Sequence, residues 1–384
     1  MTARPRVLLL DSALHFGGAE NVIAELCRGL DRDRFDVHVG YTRTCGRLGQ
    51  VLADEGFSVV DLAAKGRPGR VYGGPWRLRR FIKSQGIRLV HSHDLASMVD
   101  SAVCRLTLPR VQHVNTFHCG NYPHASRRHH LLEKYLSRAA TGLVAVGQVQ
   151  RAQLAACYGL PENRLHVIRN GVSDARAGAL RHLEAKVRGS GRVVIGTIGA
   201  LIEQKGMFDL LEVAARLKAE ALDFRWVVAG SGALRATLES KAREMGLEGH
   251  VEFLGWVDHA PVTVLPWIDV FVQTSRWEAM SMVVLEAMSC GLPIVATTVG
   301  ENPLVIEDTV NGYLVPTHGI AEMVDRLRVL VASDSLRSQL GHRARQDWEQ
   351  RYTSALMCRQ YENLYAELLG CAAPAPSASG VGQR

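Results

Sequence analysis

Two successive series of short apolar runs, each interleaved with helical periodicity, restrict this chain to few architectures. The first series lies at 6–11, 36–41, 58–62, 89–93, 110–116, 143–146 and 166–168. Between these runs Val22, Ile23, Leu26 and Leu30 share one helical face after the Gly17-Gly18 pair, and Leu131, Leu132, Tyr135 and Leu136 share another. The second series lies at 193–197, 224–229, 250–254, 268–273, 293–296 and 313–315. Strands alternating with helices pack as parallel βαβ units, so each series predicts one doubly wound α/β sheet. Residues 173–191 are polar, basic and glycine-punctuated and predict the linker, with one domain at 1–172 and another at 192–350. At 384 residues the chain also exceeds what one ordinary core accommodates.

Composition narrows the partners. A hydrophobic fraction of 47% with 22% charged residues excludes wholesale disorder. Residues 371–384 are the exception, a small-residue Pro/Ser/Gly tail expected to be disordered. The apolar run 7–10 is too short for a signal peptide and no 18-residue apolar window exists, so a cytoplasmic protein is expected. Eight scattered cysteines without a CxxC pair argue against a disulfide framework or a zinc ribbon. A formal charge of +7 implies an anionic partner, which nucleotide phosphates or a membrane surface satisfy as well as nucleic acid. No nucleic-acid partner is expected.

The segment WEAMSMVVLEAMSCGLPIVAT, 277–297, carries the chemistry. Ser281 fits an N-cap, 282–289 a short helix, Gly291 its stop and Pro293 the break before a strand. Glu278 then stands in the loop before the helix and Glu286 on its second turn. Two carboxylates on one rigid element can hold the vicinal hydroxyls of a hexose and of a ribose. A phosphate fits between them at the helix start, where Ser281 and Met282 stand. Such a geometry suits a sugar nucleotide.

This segment closely resembles the E-x7-E signature of the retaining GT-B glycosyltransferases of family four. The resemblance runs through FGGAENV (16–22), NTFH (115–118), VIRNGVS (167–173), IGALIEQKG (198–206), VVAGSG (227–232), VEFLGWV (251–257) and NGYLVP (311–316), in the family's order. It implies a GT-B fold, two Rossmann-like doubly wound sheets facing a central cleft, with donor bound by the second domain and acceptor by the first. It also implies that a last helix, 351–370, crosses back onto the first domain. By resemblance Gly17 and Gly18 lie against the donor phosphates, Lys205 clamps the diphosphate, and Gly230 lies near the base. Glu278 holds the hexose, Glu286 the ribose, and His118 contacts donor sugar and acceptor at the reaction centre. No metal and no cofactor beyond the nucleoside diphosphate sugar, a co-substrate, is expected. His91 and His93 lie two apart on a strand beside Asp94, a spacing open to metal ligation, but no third ligand motif accompanies them and a hydrogen-bonded strand end is the preferred reading.

Three positions depart from the family pattern. Ala200 stands where an arginine is usual, with Arg276 as the substitute cation. In GENPLVI, 300–306, Glu301 replaces the second glycine and Leu304 the glutamate. The expected activity is retaining transfer of a hexose to a hydroxyl, by same-face attack assisted by the leaving phosphate. A nucleotide-sugar epimerase and a non-catalytic nucleotide-sugar binding protein are the alternatives. Two basic segments interleaved with apolar residues, 65–83 and 126–138, lie in the acceptor domain. They point to an anionic membrane surface, a lipid-linked or cell-envelope precursor as acceptor, and a peripheral place on the inner face of the plasma membrane.

Overall fold

The structure, a computed structural model, describes residues 4–63, 74–122, 126–180, 184–188 and 191–371. Its first sheet contains β1 (Arg6–Ala13), β2 (Asp36–Thr44), β3 (Ser58–Asp61), β4 (Ile87–Ser92), β5 (Gln112–Phe117), β6 (Gly142–Ala145) and β7 (Leu165–Val167). The second contains β8 (Val193–Ile198), β9 (Phe224–Ala229), β10 (Val251–Gly255), β11 (Val270–Gln273), β12 (Ile294–Thr297) and β13 (Gly312–Val315). Every pairing is parallel, in the orders β3-β2-β1-β4-β5-β6-β7 and β10-β9-β8-β11-β12-β13. These are the two doubly wound Rossmann-like sheets of a GT-B fold. Helices cover both faces, which is why strands such as β1 bury successive apolar residues, Val7 to Leu10, instead of alternating.

Chain order reverses between β1 and β4 in one sheet and between β8 and β11 in the other, so a crevice opens at each reversal beyond the strands' carboxyl ends. The two crevices meet. Asn170 Nδ2 donates to the Met280 carbonyl at 3.1 Å, Arg47 pairs with Asp258 at 2.6 Å, and the Phe16 and Trp256 rings lie 5.7 Å apart. A Cβ on Gly120 would overlap the Glu278 backbone, so the loop after β5 packs directly on the loop carrying Glu278.

After β13 the chain is helical: Ile320–Ala332, Asp334–Arg351 and Ser354–Leu369. The last helix packs on the first sheet, where Tyr365 hydrogen-bonds His91 at 2.6 Å, Tyr361 bonds Thr116 at 2.9 Å, and Glu362 accepts from the Asp31 amide at 2.8 Å. Within the expected linker, helix Glu184–Arg188 buries Val187. Residues 181–183 and 189–190 of that linker, and 372–384 of the expected tail, lie outside the described residues. One expected apolar face is corrected. On helix Arg127–Leu136 the buried residue is Glu133, whose carboxylate accepts from the Tyr158 hydroxyl at 2.5 Å, while Leu131 and Tyr135 face outward. The hydrogen bond offsets the desolvation of the buried acid, and Leu132 and Leu136 are half-buried beside it. All eight cysteines are free.

Candidate active site

The residues expected on the donor side converge at the carboxyl ends of β8, β11 and β12. After β8 the chain makes a single turn of 3₁₀ helix, Glu203–Lys205, before helix Met207–Ala219. This turn aims the Lys205 ammonium at Glu278, 2.5 Å away. Ser275 Oγ donates to the same Glu278 oxygen at 2.7 Å. Thr274 Oγ1 fixes the Lys205 carbonyl at 2.8 Å, and Gln204 Nε2 the Trp277 carbonyl at 3.0 Å. The two loops are therefore stitched together by side chains on both. An ammonium has three donors, so Lys205 keeps hydrogen-bonding capacity beyond Glu278.

Helix Met282–Ser289 begins and ends as expected, with Gly291 at φ +70 after its last turn and β12 beyond Pro293. Its cap differs. Ser281 has the extended backbone of an N-cap, but its hydroxyl accepts from Gln273 Nε2 at 2.7 Å and makes no bond to the helix. Gln273 is in turn anchored by Asn302 at 2.8 Å. The first amides of the helix, Met282 among them, are left without a side-chain cap, at the positive end of the helix dipole and between the two carboxylates.

Glu286 lies buried on that helix with no hydrogen bond or ion pair to its carboxylate among the described residues. Burial, with Glu25 of the first domain as a second cause, pushes its pKa up to about 8, so it is largely protonated at neutral pH.

The facing wall comes from the first sheet. Gly17 is the N-cap of helix Gly18–Gly29, and a side chain on Gly18 would meet open space. His118 follows β5. Its Nε2 lies 3.1 Å from Nδ1 of His93, and the two rings stack at 5.3 Å. Burial lowers the His118 pKa to about 4, and burial first, then His91 and His118, holds His93 well below the ordinary histidine value. Both imidazoles are neutral at pH 7, so one donates and the other accepts. His91 sits one strand position pair behind, bonded through Nδ1 to Tyr365 and through Nε2 to Thr116 at 2.7 Å. Among the described residues no group of three or more His, Cys, Asp or Glu could hold a metal ion.

Other expected residues stand less simply. Gly230, at φ +148, packs so closely that a Cβ would overlap the Gly199 carbonyl; contact between two backbone loops accounts for glycine there. Arg276 pairs with Glu203 at 2.7 Å and buries its Nε without a partner, beside the Lys205 turn. Ala200 and Leu304 are exposed.

Sequence reasoning missed several polar groups here. Asp11, near the end of β1, is buried with Oδ2 unpartnered, and burial, then Asp94 and Glu20, push its pKa up to about 8. His93 is the hydrogen-bonded strand end expected, but its partner, His118, is not legible in the sequence. The available signal was a polar residue closing an apolar strand run at a chain-reversal strand, a pattern shared by Asp11 and His93.

Comparison with known proteins matches this architecture half by half. The model for Glycosyltransferase Family 4 matches residues 16–176, and that for Glycosyl transferases group 1 matches 181–347. The chain belongs to the group 1 glycosyltransferases. This transferase is 27% identical over 297 residues to the uncharacterized glycosyltransferase MJ1607 of Methanocaldococcus jannaschii, covering 72% of this chain and 74% of that protein. It is 24% identical over 307 residues to an Escherichia coli UDP-Gal:alpha-D-GlcNAc-diphosphoundecaprenol alpha-1,3-galactosyltransferase, covering 76% and 78%. The transferase also superposes on Anabaena Alr3699/HepE, solved in complex with UDP-glucose, at TM-score 0.83 and 21% identity over 94% of this chain and 99% of that one.

Proposed function

We propose that this transferase takes a hexose from a nucleoside diphosphate sugar and delivers it to a hydroxyl with retention of anomeric configuration. The observation that carries the reading is the Lys205–Glu278 pair beside an uncapped helix start, with the unpartnered carboxyl of Glu286 one turn further on. A diphosphate would take the free N–H groups of Met282 and its neighbours and the remaining donors of Lys205. Glu278 would accept from the hexose hydroxyls and Glu286 from the ribose. His118, neutral and oriented by His93, would hydrogen-bond the donor sugar or acceptor at the reaction centre. Catalysis then consists of positioning and of stabilising charge on the departing diphosphate, which assists attack from the same face. Anabaena HepE holding UDP-glucose in the same fold supports the choice of donor class. Thermal-shift titration with UDP-, GDP- and ADP-sugars tests it, since a ligand at 100 Kd stabilises by about 2.7 kcal/mol. NMR of the product tests retention. An epimerase would convert the sugar with donor alone, and a binding protein would turn nothing over.

For the acceptor, a lipid-linked or envelope precursor presented at an anionic membrane surface is the reading the first domain supports best. The adjacent helices Gly74–Gln85, Leu95–Thr107 and Arg127–Leu136 expose Trp76, Leu106 and Tyr135 at 72%, 72% and 62%, among Arg80, Lys83, Arg127 and Arg128. Within the first basic segment Leu78 and Ile82 are core residues, so its apolar projection is Trp76. Lys65, Arg67 and Arg70 lie outside the described residues. No described helix is long and apolar enough to cross a membrane. The E. coli relative is named for a diphosphoundecaprenol-linked acceptor.

A further inference from the structure

Glu301 lies on the second domain, in the loop after β12, yet its side chain serves the first. Its Oε1 accepts from the Val149 amide at 2.6 Å and the Gln150 amide at 3.4 Å. These are the second and third residues of helix Gln148–Tyr158, whose N-cap, Gly147, has no side chain with which to cap it. A Cβ on Gly147 would overlap the Glu301 side chain, so the glycine leaves room for a cap delivered from across the cleft. Glu301 is 1% exposed, and its carboxylate stands at the positive end of a helix dipole. The Glu301 amide donates to the Ala279 carbonyl at 2.9 Å, one residue beyond Glu278. The same residue therefore grips the Glu278 loop through its backbone and the first domain through its side chain.

We infer that Glu301 is an interdomain latch and a positioning residue for transfer: it holds the Glu278 loop against the loop that carries His118 and closes the cleft around the donor. The latch itself does not depend on which donor is used. Its effect on turnover rests on the reading above. Two variants of the full chain test it. Glu301→Ala removes the carboxylate. Gly147→Ser supplies a local cap and a Cβ that excludes Glu301, while the extended backbone at 147, φ −161 and ψ 178, accepts serine. Hydrogen exchange, which needs no substrate, should quicken several-fold across 276–281 in both variants, and across 148–151 in Glu301→Ala alone. Turnover of UDP-glucose, or of whichever sugar nucleotide shifts the melting temperature, should lose about tenfold or more in kcat in both variants, with KM within about threefold. The double variant should be no worse than the worse single one. Wild-type exchange across 276–281 in Gly147→Ser would overturn the latch. Wild-type kcat despite faster exchange would overturn the positioning role, as would losses that multiply in the double variant.

Discussion

The site depends on which of its charges have partners within the protein. Glu278 is held and pre-aimed by Lys205 and Ser275, whereas Glu286 is buried without a partner and keeps its proton. Different roles follow. Glu278→Ala should lose about 100-fold or more in kcat/KM, roughly 3 kcal/mol of transition-state stabilisation, with the melting transition still cooperative; turnover near wild type in the purified variant would remove it from the site. For Glu286 the sign follows from a folded pKa raised above the ordinary carboxyl value. Its stabilising contribution is complete at acidic pH and is lost as pH rises through about 8, and Asp11 acts in the same direction. Melting temperature should fall between about pH 5 and pH 8.5, and less steeply in Glu286→Gln. If ribose hydroxyls donate to the ionised form, nucleotide affinity rises over the same window and the Gln variant loses that rise. A pH-independent affinity in the wild type contradicts the ribose role.

At the level of elements, the last helix joins the halves. Helix Ser354–Leu369 follows the second domain but seats Tyr361 and Tyr365 against His91 and Thr116 of the first sheet. Tyr365→Phe leaves a buried His91 nitrogen unpaired and should cost about 1–3 kcal/mol, measured by denaturant unfolding, with the hydrophobic contact preserved; an unchanged midpoint contradicts it. Most elements were legible because apolar period and turn residues agree locally: helix Met282–Ser289 falls on the expected residues, and β9 ends where its apolar run ends. What was not legible is long-range. The Ser281 hydroxyl is claimed by Gln273 from β11, and Glu133 is buried because Tyr158 meets it from another helix. No local pattern encodes either partner. The same holds for Glu301, which looked like a flaw in a glycine motif and proves to cap a helix of the other domain.

Across the whole molecule the two sheets contribute unlike walls to one cleft, an acidic and imidazole-lined face from the first and a lysine and helix start from the second. The outer face of the first domain is separately basic and apolar. Sedimentation with anionic vesicles at low salt should pull the protein down, salt should release it, and a Trp76→Ala/Arg80→Glu/Lys83→Glu variant should stay in solution; absence of binding at low salt removes the membrane reading. Within the cleft, Lys205 and the uncapped helix start form the proposed diphosphate site. Calorimetric titration of UDP, GDP and ADP, and of the corresponding nucleosides, into wild type and Lys205→Ala tests it directly. At least one diphosphate should bind the wild type and lose about tenfold or more, roughly 1.4 kcal/mol, in the variant while its nucleoside is unaffected. Equal diphosphate affinity in the two proteins would rule out Lys205 as a diphosphate ligand.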